Sequence, residues 1–173
     1  MLQMIASKNA TGSFSGVDID EKSIAYAKEL TVAVPNISFH LVKDFHAQPA
    51  SFDLALITDV LHDSTQPLEI LQQAARWLKK PHGQLLAIEP QACNTMAEQL
   101  KDSQSHYKYG ASLHGCLPSA MWQADGQGLG LLGLTESIFR RLALQAGFTK
   151  VHRQVSRADP FNAYYLCSFN ANL

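Results

Sequence analysis

The chain predicts an open α/β fold built on a mostly parallel sheet, and three observations carry that expectation. Strand and helix signals alternate over most of the 173 residues, the pattern of a parallel sheet covered by helices. Phe52 to Ile57 is a short apolar run of the kind that forms buried strands. Gly16-Val17-Asp18-Ile19-Asp20 ends another apolar stretch in a carboxylate and passes at once into a helix. A strand that ends so in an open α/β sheet places its acid where a nucleoside ribose binds, outside the carboxyl end of the strand. Such an acid normally follows a glycine-rich strand-turn-helix by about 20 residues, and Met1 leaves no room for one.

The elements follow in order. Phe14 to Asp18 reads as a strand, and Asp20 caps a helix through Leu30 with Ile24, Ala27 and Leu30 on one face. Pro35-Asn36 marks a turn into a strand from Ile37 to Val42, closed by Lys43-Asp44. After the strand from Phe52, Thr65 caps a helix with Pro67 in its first turn and Leu68, Leu71, Ala75 and Leu78 as its stripe. Pro81 stops that helix, and Gly83 turns into a strand from Gln84 to Glu89. A short helix is expected within Asn94 to Gln104. Residues 105–134 show no clear period and are rich in glycine and small residues, which reads as a lid or substrate-pocket insertion. Thr135 then caps a helix with Phe139, Leu142, Ala143 and Ala146 inward, Gly147 ends it, and strands from Thr149 to Val155 and Ala163 to Phe169 close the chain.

Composition excludes several classes. An apolar share of 46% and a charged share of 17% suit one soluble domain with a sizeable core. A net charge of −1 gives no reason to expect nucleic acid or an anionic membrane as partner. No stretch approaches the roughly 18 apolar residues of a membrane span, and the start lacks the regions of a signal peptide. Cys93, Cys116 and Cys167 are odd in number and widely spaced, so a disulfide framework is not expected and a cytoplasmic, reducing setting is.

GVDIDEKSIAYAKEL, VKDF, FDLALITDVLHD and LEILQQAARWLKKPHGQLLAIEP, in this order, resemble a class I S-adenosylmethionine-dependent methyltransferase from its second strand to its end. LHGCLPSA, GQGLGLLG, LALQAGFTKV and DPFNAYY resemble a bacterial-type subgroup whose members often carry a winged-helix domain ahead of the methyltransferase domain. The resemblance implies a Rossmann-like sheet with helices on both faces and an antiparallel last strand, here lacking the usual first strand. It implies S-adenosyl-L-methionine as cofactor and a small-molecule methyl acceptor as partner. By the same resemblance Asp18 holds the ribose hydroxyls, Ile19 packs on the adenine, Asp44 accepts from the adenine amino group and Phe45 borders the ring. Thr58 and Asp59 line the cofactor, and His62 faces the acceptor as a catalytic group. Glu89, ending its strand before Pro90, points into the same crevice, either as a catalytic group that binds an acceptor amine or as an acid that merely solvates a loop. Tyr107, Tyr109, His114, Cys116, Leu117 and Trp122 complete the acceptor pocket.

Three patterns point elsewhere. Gly126-Gln127-Gly128-Leu129-Gly130 has cofactor-loop spacing, but no strand precedes it and no ribose acid follows, so it reads as flexible lid backbone. Asp159-Pro160-Phe161-Asn162 resembles the box of amino-group methyltransferases but sits between the last two strands and reads as a turn. His106, His114 and Cys116 fit no standard metal spacing, so no metal is expected. Loss of the first strand would leave backbone groups unpaired at about 1–3 kcal/mol each where buried, which makes this chain a fragment of a longer enzyme. A non-catalytic interaction domain, forming a homodimer through exposed sheet edges, is the alternative from another class. A nucleotide-binding oxidoreductase is the third, since the same ribose acid serves nicotinamide cofactors.

Overall fold

The computed structural model describes residues 1–169, which form two compact units, Met1–Ala47 and a second from Gln48 onward. In the first unit a helix α1, Leu2–Lys8, precedes β1, Phe14–Asp18; α2 spans Glu21–Leu30 and β2 spans Ile37–Leu41. Helix α1 was not legible in the sequence. Its first residue brings no side-chain cap, and Ala6 is its one buried position. Asn36 ties the connection after it, donating through Nδ2 to the carbonyls of Ala6, Asn9 and Gly12. β1 and β2 pair in parallel from Phe14↔Ile37 to Asp18↔Leu41. The Phe39 ring lies where a Cβ on Gly16 would fall, so that strand position is confined to glycine. Asp20 caps α2 as expected, accepting from the Ser23 amide at 2.8 Å. Ile24 is buried, whereas Leu30 is 52% exposed and leaves the expected stripe.

The second unit holds a four-stranded sheet in the order β3-β4-β6-β5. Its strands are β3, Leu54–Thr58; β4, Gln84–Pro90; β5, Lys150–Ser156; and β6, Asp159–Ser168. β3 and β4 run parallel, and β6 runs antiparallel to both β4 and β5, as the resemblance implies for the last strand. Among the described residues β1 hydrogen-bonds only to β2 and β3 only to β4, so each is an edge of its sheet. For that reason β3, expected to be buried, is half-buried with Leu54 exposed. Helix α3, Pro67–Trp77, and helix α8, Glu136–Gln145, pack on one sheet face. Leu71, Ala75 and Leu78 meet Leu85 and Ala87 of β4, and Phe139 of α8 stacks on Tyr165 of β6 with ring centroids 3.9 Å apart. Thr135 caps α8 through the Ile138 amide.

Four expectations change. Thr65 does not cap α3: the helix starts at Pro67, so Gln66 holds the cap position without a side-chain cap, the Thr65 hydroxyl donates to Gln123, and Ser64 accepts from the Gln66 amide. Asp159-Pro160-Phe161-Asn162 is not a turn but the start of β6, Asp159 pairing with Ser156 across Arg157-Ala158. Residues 105–134 are not an irregular insertion. They hold α5, Ser105–Ala111, a π-helical turn, Ser112–Cys116, then α6, Leu117–Ala120, and α7, Gly130–Gly133. The π turn breaks the 3.6-residue period, which hid the helix. The glycine stretch is closely packed backbone: the Gly128 amide donates to Ala120, and a Cβ on Gly130 would lie 2.6 Å from Ser112 Oγ. A four-residue helix α4, Met96–Gln99, carries a capping box between Thr95 and Glu98.

Candidate active site

The parallel register Thr58↔Ile88 sets the end of β3 level with the end of β4, where open α/β sheets hold their ligands. The Asp59 amide donates to Ile88, and Asp59 takes φ +58 as the chain turns out of β3. A non-glycine residue in that region is uncommon and marks a turn held by its surroundings. The holding group is Glu89, the next residue of β4, fully buried with none of its surface exposed. Its Oε1 accepts from the amides of Val60, at 3.1 Å, and Leu61, at 2.9 Å. Its Oε2 accepts from the His62 amide at 3.4 Å and lies 2.8 Å from His62 Nδ1. Of the two expectations for Glu89, the geometry matches the acid that solvates a loop, and it adds a bond to one ring.

His62 is 3% exposed. An ionised carboxylate only accepts, so Nδ1 carries the proton toward Glu89 and Nε2 holds the open lone pair. Nε2 has no protein partner among the described residues. Burial pulls the imidazole's proton affinity down, but the Glu89 hydrogen bond and charge, joined by the charges of Asp63 and Asp59, outweigh it and raise the pKa above 6.5. Asp59 Oδ1 stands 3.8 Å from Nδ1. Burial first, then the charges of Asp63 and Asp59, hold the Cys116 thiol above its usual range, which brings Cys116 of the π turn into the same field.

The other expected pocket residues are not drawn to His62 by any contact among the described residues. Tyr107 meets Phe161 edge-on, and Tyr109 donates to Gln99 and Met96 on α4. His114 and Trp122 are exposed, and Leu117 packs under Gly128 and Gly130. Thr58 is half-buried at the end of β3. In the first unit Asp18 ends β1 exposed, with Oδ1 accepting from the Asp20 amide at 2.9 Å, and Ile19 beside it is 83% exposed. Asp44 ends a short 3₁₀ turn, Val42–Asp44, and Phe45 lies against His40 with ring centroids 5.1 Å apart. No group of His, Cys, Asp and Glu among the described residues could hold a metal ion.

Sequence reasoning missed Lys108 and Asp102. Lys108 has no exposed surface; its Nζ lies 2.6 Å from Asp102 Oδ2 and donates to the Gln91 carbonyl at 3.0 Å. The pair pins α5 over the end of β4. No sequence signal marks it beyond a lysine in an otherwise weakly charged segment.

The fold and this site define a class, the methyltransferases of the open α/β type. The family model described as a methyltransferase domain matches residues 1–155, and the chain belongs to that family. No curated protein matches it. Among solved structures it is similar to the trans-methyltransferase CalH in complex with SAH, at 23% identity and a TM-score of 0.66, over 90% of this chain and 42% of that one. It is similar to the DszA carbon methyltransferase, at 19% identity and a TM-score of 0.71, over 96% and 42% of the two chains. A third likeness is a putative O-methyltransferase from Nostoc punctiforme, at 15% identity and a TM-score of 0.70, over 96% and 47%. These likenesses show the fold, and the chain spans less than half the length of each of the three. No helix among the described residues is long and apolar enough to cross a membrane.

Proposed function

We propose that this chain is the cofactor-binding part of an S-adenosyl-L-methionine-dependent methyltransferase acting on a small-molecule acceptor. The observation that carries it is the buried His62–Glu89 pair at the carboxyl ends of β3 and β4. The first unit suits the nucleoside. Asp18 offers an exposed carboxylate already oriented by the Asp20 amide, fit to accept from two ribose hydroxyls. Ile19 is a large apolar side chain left almost wholly in solvent, which an adenine face would cover. Asp44 supplies an acceptor for the adenine amino group, and Phe45 borders the ring. In the second unit Thr58 and Asp59 stand at the carboxyl end of β3, where open α/β sheets hold their ligands.

When bound, the sulfonium supplies a methyl group already activated for transfer. The chain's own work is therefore alignment, which can account for about 7–11 kcal/mol of the barrier. Where the acceptor must lose a proton, His62 Nε2 takes it, and such a base contributes roughly 10²–10⁴-fold. Glu89 acts through His62: by holding the proton on Nδ1 it keeps Nε2 basic. Because the His62 pKa is raised, the unprotonated base gains population as pH rises through that value, and turnover rises with it.

Calorimetric titration of S-adenosylhomocysteine and S-adenosylmethionine into the chain tests the reading. Micromolar binding is expected, weakened about 10–100-fold by Asp18→Ala, the loss of charge-assisted hydrogen bonds worth about 1.5–3 kcal/mol. A cooperatively folded chain that binds neither would refute it.

A further inference from the structure

The inference rests on the reading above and concerns which acceptor the cleft admits. Around His62 the charges are of one sign. Glu89 Oε2 lies 2.8 Å and Asp59 Oδ1 3.8 Å from Nδ1, and Asp63 follows in the chain, half-buried. Glu89 is offset by three amides and the ring it holds, so Asp59 and Asp63 carry the field. Cys116 of the π turn lies within reach of the same charges: those acting on its thiol belong to Asp63, Asp59 and Glu89. Within this shell the His62 ring is 97% buried, its Nδ1 is taken by Glu89, and Nε2 has no protein partner among the described residues, so Nε2 is the ring atom left for a ligand.

We propose that this cleft selects its acceptor by charge, taking a small molecule whose nucleophile is a neutral heteroatom or a protonatable amine and excluding carboxylates and phosphates. Clefts lined by one sign of charge change local concentration and entry rates by about 10–10³-fold. An amine enters as the ammonium drawn by Asp59 and Asp63, and His62 Nε2 stands ready to take its proton.

Cys116 is a half-buried reporter set in this field. Its modification by cationic aminoethyl methanethiosulfonate and by anionic sulfonatoethyl methanethiosulfonate is followed by peptide mass spectrometry in a Cys93→Ser background. Cys167 stays silent, being buried with its thiol pushed up to about 12. The cation-to-anion rate ratio, divided by that of N-acetylcysteine, cancels the thiolate fraction. It is expected to exceed one by about tenfold or more at low salt and to collapse near 1 M salt, where the screening length is about 3 Å. Asp59→Asn, on an exposed side chain, and Asp63→Asn should each lower it severalfold. Benzylammonium should protect Cys116 from iodoacetamide at concentrations where benzoate does not. A normalised ratio of one, or equal protection by the two ligands, overturns the proposal. Neither readout needs the cofactor. A chain that keeps the ratio but fails to bind S-adenosylhomocysteine loses the methyltransferase reading alone, and one that binds with a ratio of one loses the charge selection alone.

Discussion

Replacing Glu89 tests whether one carboxylate holds both the loop after β3 and the His62 tautomer. Glu89→Ala removes the acceptor for the amides of Val60, Leu61 and His62 and for His62 Nδ1. A buried donor left unpaired costs about 1–3 kcal/mol, and removing one partner of a buried charged pair about 3–5 kcal/mol. Water can enter beside Val60, which is only partly buried, so the loss should fall near about 3–5 kcal/mol rather than at the sum of four donors. Glu89→Gln keeps the oxygen that serves Val60 and Leu61 and places an NH₂ against Nδ1. It should cost about 1–3 kcal/mol and move the ring proton to Nε2. Urea denaturation gives the first quantity, and long-range nitrogen-proton NMR of the imidazole gives the second. An alanine variant within about 1 kcal/mol of the parent, with the His62 tautomer unchanged in the glutamine variant, would refute the reasoning.

Asp102→Asn should destabilise the chain by about 3–5 kcal/mol because it strands the fully buried Lys108 charge, whereas Lys108→Met should cost less; thermal melts compare them. The Lys108 hydrogen bond holds the Asp102 carboxyl below its ordinary 3.8, so its stabilisation is present above that value and disappears as pH falls through the lowered one. His62 works in the opposite direction. Its raised pKa stabilises the fold fully below 6.5, and that share is lost as pH climbs through the raised value, so stability curves of the parent and His62→Gln should differ in slope only there. Gly130→Ala should cost about 1–3 kcal/mol in a denaturant melt, because φ is +61 and the new Cβ would meet Ser112 Oγ, which accepts from the Leu131 amide.

Local signals carried most of the fold. The strand from Phe14 to Asp18, the Asp20 cap and the Leu71–Ala75–Leu78 stripe each rest on neighbours within one element, and the structure repeats them. What was hidden depended on partners distant in sequence or on broken periods. Helix α1 has one buried side chain and no cap, so no pattern marks it. The helical run over 105–120 contains a five-residue π turn and then Pro118, which scramble the spacing that a helix shows. Thr65 looked like a cap because its type was right, but the helix begins one residue later than that cap requires, and the Thr65 hydroxyl donates to Gln123, 58 residues away. The candidate site was half legible. His62 and Glu89 stood out singly, yet their 27-residue separation closes only through the β3–β4 register, and register is not written in either segment alone.

That register also explains why the acid must be glutamate rather than a loop residue. Glu89 sits at the end of a strand whose residues from Leu85 onward are buried or half-buried, before a buried proline, so its backbone cannot drift. The loop it serves begins with Asp59 at a left-handed φ, a conformation costing on the order of 1–3 kcal/mol that persists only when its surroundings over-determine it. The three amides following Asp59 converge on the two oxygens of Glu89, and the ring of the last of them shares one of those oxygens. Opening the loop therefore frees the imidazole, and turning the imidazole unseats the loop. The strained turn and the basic nitrogen are one cooperative unit, and a base built this way keeps its tautomer for as long as the turn stays folded.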